Sequence, residues 1–599
     1  MPDIETHNFD VVVIGAGGAG LRAAIEAKQR GLSTAIVCKS LLGKAHTVMA
    51  EGGVAAALGN VYPEDSWKVH FRDTMRGGKM LNNWRMAQLH AQESPDRVLE
   101  LESWGALFDR TPDGRIQQRD FGGHRYARLA HVGDRTGLEL IRTLQQRAVA
   151  LDIEVFMEVK ILRLLPDADG QISAAVGYWR PTGEPVAFTS KAFVLATGSI
   201  GKAWKVTSNS WESTGDGHAM AFWAGADMIE MECVQFHPTG MIWPLSVRGL
   251  LVTEGVRGDG GALRNAEGKR FMFDYIPEMF RAETAETEEE ADRWYEDHAN
   301  NRRTPDLLPR DEVARAINSE VKAGRGSQHG GVFLDIASRR SAEYIRRRLP
   351  SMYQQFKELA GVDITAEAME IGPTCHYVMG GVRVDADTAA SSVPGLFAAG
   401  EVAGGMHGAN RLGGNSLSDL LVFGRRAGTG ASDYAEGRTG APALEKAAAE
   451  AVIDEAMAPL TRDSGENPYD LHYELQDRMQ ELVGIIRTKS ELEEALEVIG
   501  KLSERAQRVA VKGGKTYNPG WNLATDLPSM LTVTAMVAKG ALERRESRGA
   551  HTRDDFPKPD PEFGKLNLVQ RLRDGEHTIT PEPLPQMPAD LAALFEEAH

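Results

Sequence analysis

The amino-terminal part of the chain combines short apolar runs with one helical pattern. Residues 9–14 form an apolar run that ends in the glycine-rich segment 15–20. Residues 21–30 then have the pattern of a helix, and a second apolar run follows at 34–38. This order predicts a strand, a tight turn, a helix and a second strand at the start of the chain.

Further along, polar and apolar residues alternate in three segments, at 153–164, 171–179 and 186–190. Their spacing predicts an antiparallel meander that leads into a buried strand at 192–195. Another apolar strand at 395–401 precedes a glycine-rich loop and a helix that starts near Ser416. Because the two buried strands lie so far apart, we expect a nucleotide-binding fold that an inserted domain interrupts.

Beyond residue 430 the apolar positions take helical spacing. One helical face is lined by residues three or four positions apart, namely Leu471, Leu475, Met479, Leu482 and Ile485. Residues 490–493 have the form of a capping box before a second helix, and a third helix is expected near 529–543. The proline-rich tail from about 556 is expected to lie over the surface.

These elements predict an α/β fold with a discontinuous first domain. A Rossmann-like nucleotide-binding domain is expected at 1–236 and 376–430, interrupted by an α+β capping domain at 237–375. A helical bundle at 431–545 and a C-terminal domain at 546–599 complete the expected organisation. The acidic segment 281–298 is expected to form a solvated face or loop, because blocks of like charge are seldom buried.

Composition and charge exclude two classes of protein. With 599 residues, of which 42% are hydrophobic, the chain has enough apolar material for several domains of roughly 100–200 residues each. General disorder is therefore excluded. The net charge of −17, from 68 Lys and Arg against 85 Asp and Glu, comes without a basic stripe, so no nucleic-acid partner is expected.

The cysteines and the uncharged segments limit cofactors and location. Cys38, Cys233 and Cys375 are scattered, so this chain alone cannot form a disulfide framework or an iron–sulfur or zinc cage. Residues 1–7 lack the basic and apolar regions of a signal peptide, so export is not expected. The uncharged stretch 233–247 is shorter than the roughly 18–20 residues that span a bilayer.

Three glycines match a dinucleotide-binding fingerprint. Gly15, Gly17 and Gly20 stand in the G-x-G-x-x-G positions, which serve a tight turn, a close approach to pyrophosphate and a helix–strand contact. The helix amino terminus then faces the anion. Where many such sites have a ribose-binding acid, this chain has Lys39 and Ser40, which argues against a nicotinamide cofactor.

The segment that follows the fingerprint supports a more specific interpretation. It contains His46-Thr-Val-Met-Ala-Glu-Gly-Gly53, and together with the fingerprint it resembles the flavoprotein subunit of succinate dehydrogenase and fumarate reductase, the complex II enzymes. The likeness extends over nearly the whole chain, to 547–556. In that family the histidine of this segment carries FAD on the 8α-methyl carbon, so the resemblance implies covalent FAD at His46. Such a link fixes the flavin ring and favours its reduced form.

The first domain is then an FAD-binding domain. The resemblance implies cofactor contacts from Gly15, Gly17, Gly18, Gly20, Lys39, Ser40, His46, Thr47, Gly52, Gly53, Asp216, Glu401, Asn415, Ser416 and Leu417. No metal ligand is assigned. Four further motifs resemble the family's dicarboxylate site and supply His237, Thr253, His376 and Arg411 as substrate-binding residues. Two carboxylates require planar cationic forks and neutral or cationic donors at both ends.

The resemblance also assigns catalytic roles. Arg310 is expected to act as the acid in fumarate reduction and as the base in succinate oxidation, linked to solvent by Glu254 and Arg257. Because guanidinium is normally protonated throughout, the basic role requires a concerted relay. The inserted domain is expected to close over the substrate and to bring Arg310 toward the flavin.

The function implied is that of an electron-entry subunit. It would oxidise succinate to fumarate, or the reverse, and pass electrons to a separate iron–sulfur subunit, from which they reach quinone through membrane anchor subunits. Such a chain would lie at the cytoplasmic side of the cell membrane, held by its partners. The alternatives are L-aspartate oxidase and soluble fumarate reductase, both expected to lack the flavin-linking histidine, and a non-catalytic flavin-binding scaffold. His46 and the intact site motifs favour the first interpretation.

Overall fold

The computed structural model describes residues 4–440 and 442–596. Residues 1–3, 441 and 597–599, which belong to the acidic amino terminus, the expected helical region and the C-terminal domain, lie outside the described residues. The strands are β1 (Glu5–Ile14), β2 (Thr34–Cys38), β3 (Val54–Ala55), β4 (Gln118–Arg119), β5 (Leu129–Ala130), β6 (Glu154–Met157), β7 (Val159–Pro166), β8 (Ile172–Trp179), β9 (Pro185–Leu195), β10 (Met228–Ile229), β11 (Val234–Met241), β12 (Ala262–Arg264), β13 (Val332–Asp335), β14 (Met369–Val378), β15 (Gly381–Arg383), β16 (Leu396–Ala398), β17 (Ala403–Gly404), β18 (Leu566–Arg573) and β19 (Glu576–Pro583).

The helices are α1 (Gly18–Gln29), α2 (Trp67–Gly77), α3 (Trp84–Ser103), α4 (Thr136–Ala150), α5 (Asp216–Trp223), α6 (Gly255–Gly258), α7 (Glu288–Trp294), α8 (Arg310–Lys322), α9 (Ala342–Arg348), α10 (Pro350–Leu359), α11 (Asn415–Gly437), α12 (Lys446–Thr461), α13 (Pro468–Leu482), α14 (Lys489–Ala506), α15 (Pro519–Glu543) and α16 (Ala589–Ala592). Among the described residues, none of these helices combines the length and the apolar character needed to cross a bilayer.

A sheet built around β1 contains the predicted nucleotide-binding elements. Its strand order is β6-β2-β1-β9-β8-β7, and β16 pairs with the end of β9. The pairs β1–β2, β1–β9, β2–β6 and β9–β16 are parallel. The predicted strand, helix and second strand are confirmed, with the helix starting at Gly18, inside the glycine segment. Parallel strands are covered on both faces, which explains why the β1 and β2 sequences are almost uniformly apolar.

The predicted meander is wrong in two places. The segment 153–164 splits at Glu158, which has a φ of 59°, into β6, which is parallel to β2, and β7, which is antiparallel to β8. The segments 186–190 and 192–195 are one continuous strand, β9. Its first half pairs antiparallel with β8 and its second half pairs parallel with β16. One strand therefore belongs to both the antiparallel and the parallel part of the sheet.

A second, antiparallel sheet has the order β11-β14-β13-β12. A separate hydrophobic cluster of residues between 241 and 371 packs with it, including Val313 and Ile317 from α8. The predicted limits of the capping domain, 237 and 375, fall inside β11 and β14, which pair with each other. In this pairing His237 of β11 lies opposite Thr374 of β14. His376 follows Thr374 by two residues on β14, so the sheet brings the two histidines close together. The capping domain with those limits stays a prediction.

The acidic segment contains more regular structure than expected. Residues 288–294 form α7, whose first turn is capped by Thr287 Oγ1 accepting from Glu290 N. Glu288 and Glu289 are exposed, Glu290 and Asp292 are half-buried, and Trp294 is buried. Asp292 forms an ion pair with Arg270 at 2.8 Å. This pair holds α7 against the segment that follows β12.

The C-terminal helices follow the predicted spacing. Leu471, Leu475, Met479 and Leu482 of α13 are buried, in contact with α14 and α15. The predicted capping box at 490–493 is wrong, because Thr488 and Glu491 form it two residues earlier. The tail also differs from the prediction, since β18 and β19 form a hairpin that extends the sheet β17-β15-β10-β18-β19. The pairing of β18 with β10 joins segments that are far apart in the chain, so the local sequence pattern does not predict it.

Candidate functional site

A cavity lies at the carboxyl ends of β1, β2, β9 and β16, where parallel sheets generally bind ligands. Gly15, Gly17 and Gly18 line it. Gly15 has a φ of 119°, and a Cβ there would lie 2.1 Å from the Ala196 carbonyl oxygen. Gly20 lies behind this wall, where a Cβ would come within 1.9 Å of the Gly15 carbonyl oxygen. Gly15 and Gly20 have no room for side chains, which allows the turn and the first residues of α1 to pack closely.

His46 begins a 3-10 turn, His46–Met49, which lines the cavity beside the glycines. Its Nδ1 atom is buried and has no hydrogen-bond partner among the described residues. Burial, and then the charge of Arg411, lowers the pKa of His46 to about 4, so the imidazole is neutral at physiological pH. Thr47, beside it, accepts a hydrogen bond at Oγ1 from the Gly18 N–H over 3.3 Å. This bond joins the His46 turn to the fingerprint.

Most of the predicted cofactor contacts line the same cavity. Besides the glycines and His46 these are Lys39, Ser40, Thr47, Gly52, Gly53, Asp216, Glu401, Ser416 and Leu417. Gly20 and Asn415 do not line it. The Asn415 side chain points to the other side of α11, where Oδ1 accepts from His70 Nε2 and Nδ2 donates to Thr74 Oγ1.

Lys39 belongs to a buried ion network that no sequence motif indicated. Its Nζ atom lies 3.1 Å from Asp216 and 2.6 Å from Asp526, and Lys160 Nζ contacts the same two carboxylates at 2.6 and 2.5 Å. Burial acts to raise the pKa of Asp216, but the charges of Lys160 and Lys39 outweigh burial and lower it. Asp526 comes from α15, so the network ties this wall of the cavity to the C-terminal helices.

The predicted dicarboxylate residues share this cavity with His46. They are His237, Thr253, Glu254, Arg310, His376 and Arg411. His237 and His376 lie on the paired strands β11 and β14, with ring centroids 5.1 Å apart. Burial, followed by the charges of nearby arginines, lowers the pKa of both histidines well below its usual range. The site thus combines neutral imidazoles with cationic guanidinium groups.

Arg310, Glu254 and Arg257 form a chain that leads away from the cavity. Arg310 Nε donates to Glu254 Oε2 over 2.8 Å, and Arg257 Nη2 lies 3.7 Å from the same oxygen. Arg257 is fully buried behind Glu254 and does not line the cavity. Burial acts to raise the pKa of Glu254, but the charges of Arg310 and Arg257 outweigh burial and lower it. Glu254 is therefore an ionised carboxylate between two cations.

Gln235 has no predicted role and does not line the cavity, yet its side chain contacts two arginines of the site. Its Oε1 accepts from Arg411 Nη2 at 3.1 Å and from Arg310 Nη1 at 3.5 Å. Its Nε2 donates to the Asn410 side chain and to the Arg411 carbonyl oxygen. The spacing of Gln235 from His237 could have indicated this position in the site, because residues two apart on a strand lie on the same face.

The comparisons with known proteins agree with this geometry. Residues 10–417 match the family described as FAD binding domain, and residues 472–592 match the one described as fumarate reductase flavoprotein C-term. The chain is 37% identical to the succinate dehydrogenase flavoprotein subunit of Coxiella burnetii, covering 97% of each chain. The chain belongs to the succinate dehydrogenase/fumarate reductase flavoprotein family. It is an FAD-dependent oxidoreductase of that family.

Two further relatives show how far the likeness of this flavoprotein extends. It is 44% identical to a subunit of fumarate reductase (CoM/CoB) from Methanothermobacter marburgensis, over 95% of this chain and 98% of the relative. The solved structure of Mycobacterium smegmatis Sdh1 in complex with UQ1 matches with a TM-score of 0.87 and 59% identity, covering 99% and 98% of the two chains. The predicted α/β fold with a helical C-terminal part is confirmed.

The residues of this flavoprotein's cavity fit FAD. The glycine wall leaves space for a pyrophosphate and presents the amino terminus of α1 to it. Several buried polar atoms around the cavity have no partner among the described residues, including His46 Nδ1, Thr197 Oγ1 and Arg411 Nε. Buried polar atoms are normally satisfied, so these are the groups that a polar ligand would satisfy.

Proposed function

We propose that this flavoprotein carries FAD covalently on His46 and interconverts succinate and fumarate. Electrons then pass to a separate iron–sulfur subunit, from which they reach a membrane quinone through membrane anchor subunits. The observation that carries the proposal is the position of Arg310, Arg411, His237 and His376, which line the same cavity as His46. One end of that cavity thus combines a flavin attachment point with a site for two carboxylates.

His46 supports covalent attachment through its chemistry. Its imidazole is neutral, and its Nδ1 atom is buried and unpartnered among the described residues. A covalent link at this ring would fix the flavin beside the substrate residues and make it easier to reduce. Bound FAD supplies the hydride acceptor for succinate oxidation and the hydride donor for fumarate reduction.

The cationic groups of the site bind and orient the dicarboxylate. Arg411 and Arg310 offer guanidinium forks, which suit the planar geometry of carboxylates. Thr253 and the neutral imidazoles of His237 and His376 add polar contacts without adding charge. We propose that closure of the capping region 237–375 excludes water from this site, which strengthens each of these contacts.

Arg310 moves the proton. Conversion of succinate to fumarate removes one hydride from one carbon and one proton from its neighbour. In the proposed relay Arg310 takes this proton while it passes another to Glu254, which exchanges protons with Arg257. In fumarate reduction the same relay runs in reverse, and Arg310 protonates the carbon. Because the transfers are concerted, neutral arginine does not accumulate, in keeping with its high intrinsic basicity.

The electron path beyond the flavin requires other chains. Cys38, Cys233 and Cys375 are all buried and unpaired, so this chain offers no set of cysteines for an iron–sulfur cluster. The similar Mycobacterium smegmatis structure was solved with UQ1, which supports a quinone as the final acceptor. We propose that partner subunits hold the chain at the cytoplasmic side of the membrane.

A test of the proposal uses the purified holoprotein. After denaturation, flavin fluorescence is expected to stay with the polypeptide on a gel, and mass spectrometry is expected to locate FAD on the peptide that contains His46. The same preparation should reduce an artificial dye with succinate and not with L-aspartate. Release of free FAD, or turnover with L-aspartate, would contradict the proposal and favour L-aspartate oxidase.

A further inference from the structure

Three buried histidines pack together beside the start of α11. His70 comes from α2, His90 from α3, and His124 from the loop between β4 and β5. Their side chains are at most 1% exposed. The ring centroids of His70 and His90 are 5.0 Å apart, and those of His70 and His124 are 5.9 Å apart. We call these three residues the histidine layer.

Each ring of the histidine layer bonds a different residue of segment 413–418. The Nε2 atoms of His124, His70 and His90 pair with Gly413 O at 2.7 Å, Asn415 Oδ1 at 2.9 Å and Ser418 Oγ at 2.8 Å. The Ser418 hydroxyl itself donates to backbone carbonyl oxygens of the same turn, so it accepts from His90. All three contacts are consistent with neutral imidazoles that carry the proton on Nε2.

The other side of the same segment faces the flavin cavity. Gly414, Ser416 and Leu417 line the cavity, and Ser416 Oγ accepts from Arg411 Nη1 over 2.8 Å. Segment 413–418 therefore lies between the histidine layer and the cavity. It is also the amino-terminal turn of a helix of 23 residues, and the positive end of a helix dipole stabilises nearby negative charge.

The histidine layer is a support for the helix and does not form a metal site. Its rings point to three separate acceptors, and no group of side chains suited to a metal ion occurs among the described residues. Burial lowers the pKa of His90 to about 3, and burial together with the charge of Arg128 lowers the pKa of His70 and His124 well below its usual range. The rings therefore stay neutral donors at physiological pH.

We propose that the histidine layer holds the first turn of α11 against the flavin and thereby raises the flavin's reduction potential, with His70 and His90 as positioning residues. This inference rests on the proposed binding of FAD in the cavity. Two-electron reduction places negative charge on the flavin ring, and the positive end of the α11 dipole stabilises that charge. A turn that lost its side-chain supports would stabilise the charge less.

The test measures the flavin midpoint potential of the holoprotein in the variants His70→Leu and His90→Leu. Each is expected to shift the equilibrium of flavin reduction about tenfold toward the oxidised form, which is about 30 mV for two electrons. Amide hydrogen exchange in residues 415–418 should become faster. His70→Gln and His90→Gln, whose amide N–H groups reach a similar position, should restore most of the potential.

His551→Leu is the matched control. His551 is also fully buried, and its Nε2 bonds a backbone carbonyl oxygen, that of Arg544, but its ring nitrogens contact Arg544 and Arg487 and not segment 413–418. This variant should lower thermal stability without changing the potential. If a leucine variant fails to fold, Ser418→Ala, which removes the acceptor of His90 together with the hydroxyl's own bonds to the turn, should give a shift of the same sign.

Unchanged potentials in folded, flavin-loaded leucine variants would overturn the inference, as would an equal shift in His551→Leu. Failure of the proposed function would look different. In that case the wild-type holoprotein itself would hold no flavin that succinate reduces, and this is visible in its absorption spectrum before any variant is made.

Discussion

Arg310 donates a hydrogen bond from Nε to Oε2 of Glu254 over 2.8 Å. The second carboxylate oxygen of Glu254 accepts from the backbone N–H of Gly122 at 2.6 Å, so the carboxylate cannot rotate freely. Arg310 is the first residue of α8, and Glu254 directly precedes α6. The pair therefore fixes the direction of the guanidinium and gives it an immediate partner for proton exchange.

Replacing Arg310 by lysine should abolish turnover while the flavin stays attached. Lysine lacks the Nε–H that bonds Glu254 and the planar fork that meets a carboxylate. We expect succinate oxidation to fall about 10²- to 10⁴-fold, the usual contribution of a positioned acid or base. Dye-coupled turnover and flavin fluorescence on a denaturing gel measure the two effects. Arg347→Lys, on the exposed face of α9, is the control, and wild-type turnover in Arg310→Lys would refute the role.

Gln235 should govern substrate affinity. Its Oε1 accepts from both Arg411 and Arg310 and thereby holds two like charges close together. Gln235→Leu keeps the volume but removes this acceptor, so we expect the KM for succinate to rise about tenfold, as for the loss of one hydrogen bond to a charged group. Steady-state kinetics with succinate and with fumarate measure the change. Gln354→Leu on exposed α10 should behave like wild type, and an unaltered KM in Gln235→Leu would contradict the prediction.

The fold could be predicted from sequence where the signal is local. The β1-α1-β2 unit is encoded by an apolar run, a glycine turn and a helical pattern that follow one another directly. The structure of β9 is not local, because its two halves are distinguished only by their partners, β8 and β16. The break at Glu158 depends on one residue with positive φ, and such a residue leaves no mark on the hydrophobic pattern.

The candidate site shows the same division. His46, His237 and Arg310 lie in contiguous motifs, so a resemblance could assign them by position. Lys160 and Asp526 could not be found this way, because their pairing joins β7 to α15 across more than half the chain. The histidine layer likewise depends on how α2 and α3 pack against α11, and none of its members stands in a motif.

Gly20→Ala should prevent the chain from holding flavin. A Cβ at this position would lie 1.9 Å from the Gly15 carbonyl oxygen, so α1 must move away from β1 and the fingerprint must open. Overpacking of this kind typically costs about 1–3 kcal/mol. We expect a lower Tm and a flavin-to-protein absorbance ratio well below wild type. Gly437→Ala, which meets no atom within 4 Å, is the control, and full flavin content in Gly20→Ala would disprove the account.

His46→Ser should separate flavin binding from flavin attachment. The glycine wall and α11 remain, so FAD is expected to bind but to be released on denaturation. Without the covalent link the flavin becomes harder to reduce, and succinate oxidation should therefore suffer more than fumarate reduction. Gel fluorescence and the two dye-coupled rates measure this. Flavin that stays bound to the denatured variant would show that another residue carries the link.

Glu230→Gln should stabilise the protein in a pH-dependent way. Glu230 is fully buried, and burial, aided by the charge of Glu232, raises its pKa to about 8 against an ordinary 4.5. Between these values the unfolded chain is ionised while the folded chain keeps its proton, so the folded state loses stability as pH rises. Glutamine does not ionise and avoids this loss.

The gain in Tm for Glu230→Gln should therefore be small at pH 5 and reach its full size near pH 8, where it corresponds to about 4 kcal/mol. Thermal unfolding of the holoprotein at both pH values measures it. Glu232→Gln is the control with the opposite expected sign, because Glu232 pairs with Arg544 at 2.6 Å, and loss of one carboxylate from a buried ion-pair network lowers the Tm at both pH values. A gain in Glu230→Gln that is equal at pH 5 and pH 8 would mean that the carboxyl group is already ionised in the folded protein.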